Sequence, residues 1–192
     1  MPEPIKEPGV FRAENRPAVP WKNGGGVTRE VAAGPAGAGL DDFAWRVSLA
    51  DIGQEGPFSP FAGTDRVITL LEGPAARLTV DGTPHTLAPG RPFRFPGDAA
   101  TDCRLPGGPV RVLNVMTRRT AASAHVAVVH EDLSVAPRPG ELVLVLALEG
   151  TVTFEGTGLA LGRYDAAVCS GPGAGTVRVA GAAAVATVTA AT

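Results

Sequence analysis

Residues 20–32 read PWKNGGGVTREVA, a run that sets an aromatic ring, a cation and an amide beside three glycines. Ordering three glycines is costly, because glycine loses more backbone freedom on folding than any other residue. One reading compensates that cost with a ligand: Gly24, Gly25 and Gly26 admit it close to the backbone, Trp21 stacks on it, and Lys22 and Asn23 supply a charge and a donor. The other reading is a turn that feeds the strand VTREVA, with Trp21 as a packing anchor. A phosphate loop is excluded, since the lysine precedes the glycines and GGGVTRE lacks the GxGxxG spacing. Further on, alternation along FAWRVSLA puts Phe43, Trp45, Val47 and Leu49 on one face and Arg46 and Ser48 on the other. A polar pair turned into a barrel lumen makes a pocket; the same pair turned to solvent makes none, and the sequence leaves both open.

Other chemistry is sparse. The histidines are His85, His125 and His130, and neither FAGTDRVI at 61–68 nor GDAATDCRL at 97–105 contains one. A transition-metal centre needs several such ligands converging, so no metal and no cofactor are expected. His85 is assigned to an exposed turn. Ser48 and Ser59 lack a neighbouring His/Asp pattern, and there is no GxSxG elbow. Cys103 and Cys169 lie far apart without a CxxC motif, which fits buried thiols in a reducing cytoplasm.

The elements that would position these residues are strands. Short runs rich in Val, Leu, Thr and Phe, punctuated by Gly and Pro, recur from residue 27 onward, the pattern of a sandwich or barrel. Of the 192 residues 44% are hydrophobic, enough for a sizeable core. Seventeen basic against 19 acidic residues, a net charge of -2, argue against nucleic acid or an anionic membrane as partner. The first twenty residues carry no apolar stretch of the signal-peptide kind, and no run is long and apolar enough to span a bilayer.

The halves repeat. VITLLEG, LTVDG, LAPGRPFRFPG and GPVRVLNVM in the first answer to LVLALEG, VTFEG, LALGRYDAAV and GTVRVAG in the second. Glu72 and Glu149 hold equivalent places, which favours a turn role for both. The cadence of a strand ending in Leu-Glu-Gly, a turn at Asp-Gly and a later Phe-Pro resembles the cupin pattern. It implies an all-β bicupin, two packed jelly-roll-like barrels, the second reduced and without a pocket of its own. Residues 1–120 would form an N-terminal segment and the first barrel, and residues 121–192 the second, within one compact unit.

Four stretches in order, PWKNGGGVTRE (20–30), WRVSLADI (45–52), EGPFSPFAGTDRVITLLEG (55–73) and GPVRVLNVMTRR (108–119), resemble the HutD/Ves family of small bicupin proteins. The likeness covers the first two thirds of the chain; the last third shares only the repeat cadence. It implies a cytoplasmic bacterial protein without known catalysis, associated in HutD members with histidine utilisation and with sensing an intermediate such as formylglutamate or urocanate, and in Ves members with stress. A small carboxylate in a partly dry pocket calls for fixed cations, and guanidinium offers bidentate bonds that ammonium does not. Within the matching stretches Lys22, Arg46 and Arg66 supply charge, Asn23, Ser48 and Asn114 complete the donors, and Trp21, Phe58 and Met116 form apolar walls beside Gly24 and Gly25. These residues are expected to converge at the mouth of the first barrel around a small anionic metabolite. Two rival readings stay open: a metal-independent cupin isomerase or lyase using Asp51, Glu55, Asp65 or His85, and a protein-interaction module. A homodimer through an edge strand such as LVLVLALEG is a further arrangement.

Overall fold

A computed structural model describes residues 8–191. Apart from a 3-10 turn at Ala13–Asn15, its regular elements are strands, in chain order β1 (Gly9–Phe11), β2 (Val19–Pro20), β3 (Gly26–Gly34), β4 (Trp45–Ile52), β5 (Gly56–Pro57), β6 (Thr64–Glu72), β7 (Ala76–Val80), β8 (Thr83–Leu87), β9 (Phe93–Pro96), β10 (Thr101–Arg104), β11 (Val110–Arg118), β12 (Ala122–Val129), β13 (Leu133–Val135), β14 (Glu141–Phe154), β15 (Leu159–Leu161), β16 (Ala166–Ser170) and β17 (Gly175–Ala190). Among the described residues no helix is long and apolar enough to cross a membrane. The chain divides into two compact units, one of residues 16–123 and one in which the N-terminal segment up to Asn15 joins the chain from Ala124 onward.

In the unit of residues 16–123, a six-stranded sheet in the order β2-β3-β4-β11-β6-β9 and a four-stranded sheet in the order β5-β10-β7-β8 share one core. The first contributes Ala50, Ile52, Ile68, Leu70, Phe95, Val110 and Val112; the second contributes Ala76, Leu78, Leu87 and Cys103. Strand alternation forces this division. Ala50 and Ile52 lie on the same side of β4 as Arg46 and Ser48, so all four face the interior between the sheets, and Val47 and Leu49 are buried on the opposite face. The Asp-Gly pair of LTVDG forms the tight β7–β8 hairpin: Asp81 and Gly82 both take positive φ, 45° and 81°, as that turn requires.

In the other unit β14 lies between β16 and β17 in the order β1-β16-β14-β17-β12, so LVLVLALEG is an inner strand with both sides paired. The two Leu-Glu-Gly stretches behave differently. β6 ends at Glu72 and Gly73 turns away, whereas β14 runs on through Gly150, with a register shift between Ala147 and Glu149. Gly150 faces Gly181 there, and a Cβ on either would run into the backbone of the other strand.

Candidate functional site

The register of the six-stranded sheet builds a polar cluster on its interior face. Arg46 on β4 lies opposite Met116 on β11, which lies opposite Arg66 on β6, which lies opposite Phe95 on β9. The next row towards the apolar core holds Glu30, Ser48, Asn114 and Ile68. Thus four strands that are scattered in sequence bring two guanidiniums, a carboxylate, a hydroxyl and an amide to one end of the interior.

Arg66 is the centre of this group. It is only 6% exposed. Its guanidinium carbon lies 5.2 Å from the Phe58 ring centroid, 5.5 Å from Phe61 and 5.0 Å from Phe95. Its hydrogen bonds are long: Nη1 donates to the Ser59 carbonyl at 3.5 Å and Nη2 to Asn114 Oδ1 at 3.4 Å. Nε is buried and has no hydrogen-bond partner, and no carboxylate among the described residues pairs with this side chain. Burial first, and then the positive charge of Arg46, pull the Arg66 pKa down to about 10. At neutral pH it is still charged.

Arg46 is placed differently. Its Nε donates to Glu30 Oε2 at 2.7 Å, and its side chain is 12% exposed against 47% for Glu30. Ser48 Oγ and Asn114 Nδ2 have no hydrogen-bond partner among the described residues, although both residues are buried. Two of the rings over Arg66, Phe58 and Phe61, sit on a segment tied at both ends: the Phe58 amide donates to the Thr101 carbonyl and the Phe61 amide to the Gly97 carbonyl, each at 2.8 Å. Trp21 meets Phe58 edge to face with centroids 6.3 Å apart, and its indole NH donates to Thr28 Oγ1 at 2.7 Å.

Strand register and ring contacts therefore make neighbours of Arg46, Ser48, Arg66, Asn114, Met116 and Phe58, with Trp21 one ring further out. Lys22, Asn23, Gly24 and Gly25 do not join them. They form the β2–β3 hairpin turn beside Ile52 and Gly53, where the Gly25 carbonyl accepts the amides of Gly53 and Gln54. That is six residues along β4 from Arg46, or about 20 Å. Lys22 and Asn23 are exposed. Asn23 Oδ1 accepts the Gly25 amide at 3.0 Å and so closes the turn on itself. The glycine run answers to packing: a Cβ on Gly26 would lie 2.6 Å from the Asp51 carbonyl and 3.1 Å from the Trp21 ring, and Gly24 has φ +70°. This turn borders an open cleft of about 650 Å³ with Asp51 and Arg111 at its edge. Arg29 and Arg111 both donate to Asp51 there, at 2.5 Å each, and Arg111 above all holds the Asp51 carboxyl below its ordinary value. Asp51 and Asp65 are thus engaged by arginines, and Glu55 by Arg104 and the Leu105 amide. His85 is half-buried on β8, its ring 4.6 Å from that of Phe93, rather than exposed in a turn.

Glu30, Phe61 and Phe95 complete the cluster without having stood out in the sequence. None of the three belongs to a motif whose residue types or spacing mark it for chemistry. Only the register that places Glu30 across from Ser48 could have flagged it.

Comparison with known proteins fixes the family. The HutD family model matches residues 13–187. The chain belongs to the HutD family. It is 47% identical over 108 residues to an uncharacterized 21.2 kDa protein in the hutC 3' region of Pseudomonas putida, a match that spans 56% of each chain. Protein Ves of Citrobacter koseri is 39% identical over 139 residues, covering 71% of this chain and 72% of that one. Among solved structures, HutD from Pseudomonas fluorescens SBW25, determined in a formate condition, superposes with a TM-score of 0.85 at 36% identity, covering 96% of this chain and all of that one. The nearly all-β, cupin-like fold is therefore the one this HutD-family chain shares with that protein.

Proposed function

We infer that this HutD-family chain is a non-catalytic binding protein that takes a small carboxylate at Arg66. The observation that carries the reading is the guanidinium itself: charged, 6% exposed, ringed by three phenylalanines, with Nε unbonded and no carboxylate of its own. A buried charge without a counter-charge is an unfavourable arrangement in a folded chain, and an anion that pairs with it relieves that cost only when bound. The Nε edge is the natural seat for one oxygen of a carboxylate, with Asn114 Nδ2 and Ser48 Oγ as neutral donors nearby. Three aromatic rings exclude water and strengthen the contact. Within this reading the two sheets of residues 16–123 act as a cupin-like barrel whose polar end is the site. The family and the hutC-region relative support a sensing or limiting role in histidine utilisation, with formylglutamate or urocanate as the candidate metabolite.

The test is thermal unfolding of the full chain with formate, acetate, urocanate and formylglutamate, compared with Arg66→Met. A ligand at about a hundred times its Kd adds about 2.7 kcal/mol, or roughly 5 to 11 °C for a chain of this size. A shift in the native chain that disappears in Arg66→Met is the expected result. Equal shifts in both proteins place the ligand elsewhere and overturn the reading.

A further inference from the structure

The β2–β3 hairpin turn carries a chemistry of its own, unrelated to Arg66. Asn23 is the one asparagine of the chain that precedes a glycine; the others, Asn15 and Asn114, precede Arg16 and Val115. Asn23 and Gly24 are both exposed. The Asn23 carboxamide folds back over the backbone that follows it. Its Oδ1 accepts the Gly25 amide at 3.0 Å, and Oδ1, Nδ2 and Cγ lie 3.3, 3.6 and 3.7 Å from the point where a Cβ on Gly25 would stand. A donor on that oxygen polarises the carbonyl and steadies the negative charge that a nucleophile adding to Cγ places on it. The nucleophile next in the chain is the Gly24 backbone nitrogen. Gly24 has no side chain to screen it, and the space where a Cβ would stand is open. Its N–H donates to the Trp21 carbonyl at 3.0 Å, a single bond of an exposed turn that opens at small cost.

We propose that Asn23–Gly24 is a site of self-modification, at which Asn23 deamidates through a cyclic imide. The Gly24 nitrogen gives its proton to hydroxide and bonds to Asn23 Cγ. The Cγ–Nδ2 bond breaks, and the nitrogen leaves as ammonia after taking a proton from water. Water then opens the imide ring. Cleavage at Cγ restores the ordinary peptide link and leaves aspartate; cleavage at the Asn23 backbone carbonyl carbon leaves isoaspartate, whose main chain runs through Cβ and Cγ. One water is taken up for each ammonia released, and no oxidant or cofactor enters. Asp81–Gly82, in the β7–β8 hairpin, also has the glycine, but a carboxylate is a far poorer electrophile than a carboxamide.

The two products leave different turns. Both add one negative charge beside Lys22 to a chain of net charge -2. Aspartate keeps an acceptor for the Gly25 amide, now a charged one. Isoaspartate inserts a carbon into a backbone where the Trp21 amide donates to the Gly26 carbonyl at 2.9 Å and the Gly25 carbonyl accepts Gly53 and Gln54 at 2.9 and 3.1 Å. That closure, one wall of the 650 Å³ cleft, is what the isoaspartyl form disrupts.

The test is peptide mapping by mass spectrometry of the full chain kept folded at pH 8, with isoaspartate detected as the substrate of an isoaspartyl methyltransferase. Asn23 converts to both products while Asn15, exposed but followed by arginine, and Asn114, buried in β11, keep their amides. Gly24→Ala, whose methyl screens the nitrogen, abolishes the conversion. Asn23→Asp, identical to the aspartyl product, unfolds within about 2 °C of the native chain, as a substitution in an exposed turn should. If Asn23 keeps its amide in the folded chain while losing it in urea, the turn protects the asparagine and the proposal is overturned. Conversion at Asn23 no faster than at Asn15 overturns it as well.

Discussion

Replacing Arg66 with methionine is expected to make the unliganded protein more stable. A fall of the Arg66 pKa from its ordinary value to about 10 means that the folded state disfavours the charged side chain by about 3 kcal/mol. The Phe58, Phe61 and Phe95 rings return part of this, about 0.5 to 2 kcal/mol for a desolvated cation over aromatic faces. Methionine keeps the unbranched stem and the contact with the rings while removing the charge and the unbonded Nε. The net gain is about 1 to 2.5 kcal/mol, within the range measured when buried ionic groups give way to apolar ones. In thermal unfolding followed by circular dichroism at pH 7 it appears as a rise of roughly 2 to 10 °C in Tm. The sign of the pH dependence follows. Arg66 is a base whose folded pKa lies below its unfolded one, so its cost is present in full at neutral pH. That cost declines as the pH rises through about 10, and the advantage of Arg66→Met narrows with it. A variant less stable than the native chain by 1 kcal/mol or more would show that the guanidinium is a structural group already satisfied inside the fold, and the reasoning behind the site would fail.

Lys22→Ala, in the exposed hairpin turn, leaves carboxylate affinity within about twofold by calorimetry, because screened charges some 20 Å away contribute little. Gly26→Ala forces a methyl against the Asp51 carbonyl and the Trp21 ring and lowers stability by about 1 to 3 kcal/mol in urea unfolding, without loss of binding at the far end of the sheet. Phe58 both stacks on Arg66 and lines a neighbouring cleft of about 470 Å³, so Phe58→Ala opens that cleft towards the guanidinium; stopped-flow measurements show faster association and an even larger rise in the dissociation rate. Cys103 and Cys169 are free thiols, each 1% exposed, and burial pushes both pKa values up to about 11; a thiol reagent at pH 8 therefore modifies neither in the native state and both after denaturation.

Alternation within one strand was enough to place Arg46 and Ser48 opposite Val47 and Leu49, because β4 is regular from Trp45 to Ile52. Whether that side was lumen or solvent depended on Ala50 and Ile52 further along the same strand, which belong to the core between the sheets. What no single strand contains is neighbourhood. Arg46, Met116 and Arg66 form one row only because β11 inserts between β4 and β6, although it follows β6 by some forty residues in the chain. Lys22 was drawn into the expected site by its company. Trp21, Asn23 and the glycines around it serve a turn, a close backbone approach and a ring packed on Phe58, and each of these selects the same residue types that a ligand would.

The interior face of the six-stranded sheet changes character along its strands, and in the carboxylate-binding reading this change separates folding from function within one surface. The row through Thr28, Ala50, Val112 and Leu70 is mostly apolar and belongs to the packed core. The row through Glu30, Ser48, Asn114 and Ile68 is mixed, and the row through Arg46, Met116 and Arg66 carries two positive charges. Burial of the first row against the four-stranded sheet supplies stability, at about 25 cal/mol per Å² of apolar area. That surplus is what allows the third row to keep a guanidinium that the empty fold would be better without. The stabilisation lost at Arg66 is recoverable only by an anion, which is why the same residue is expected to be a liability in unfolding experiments and the determinant of affinity in binding ones.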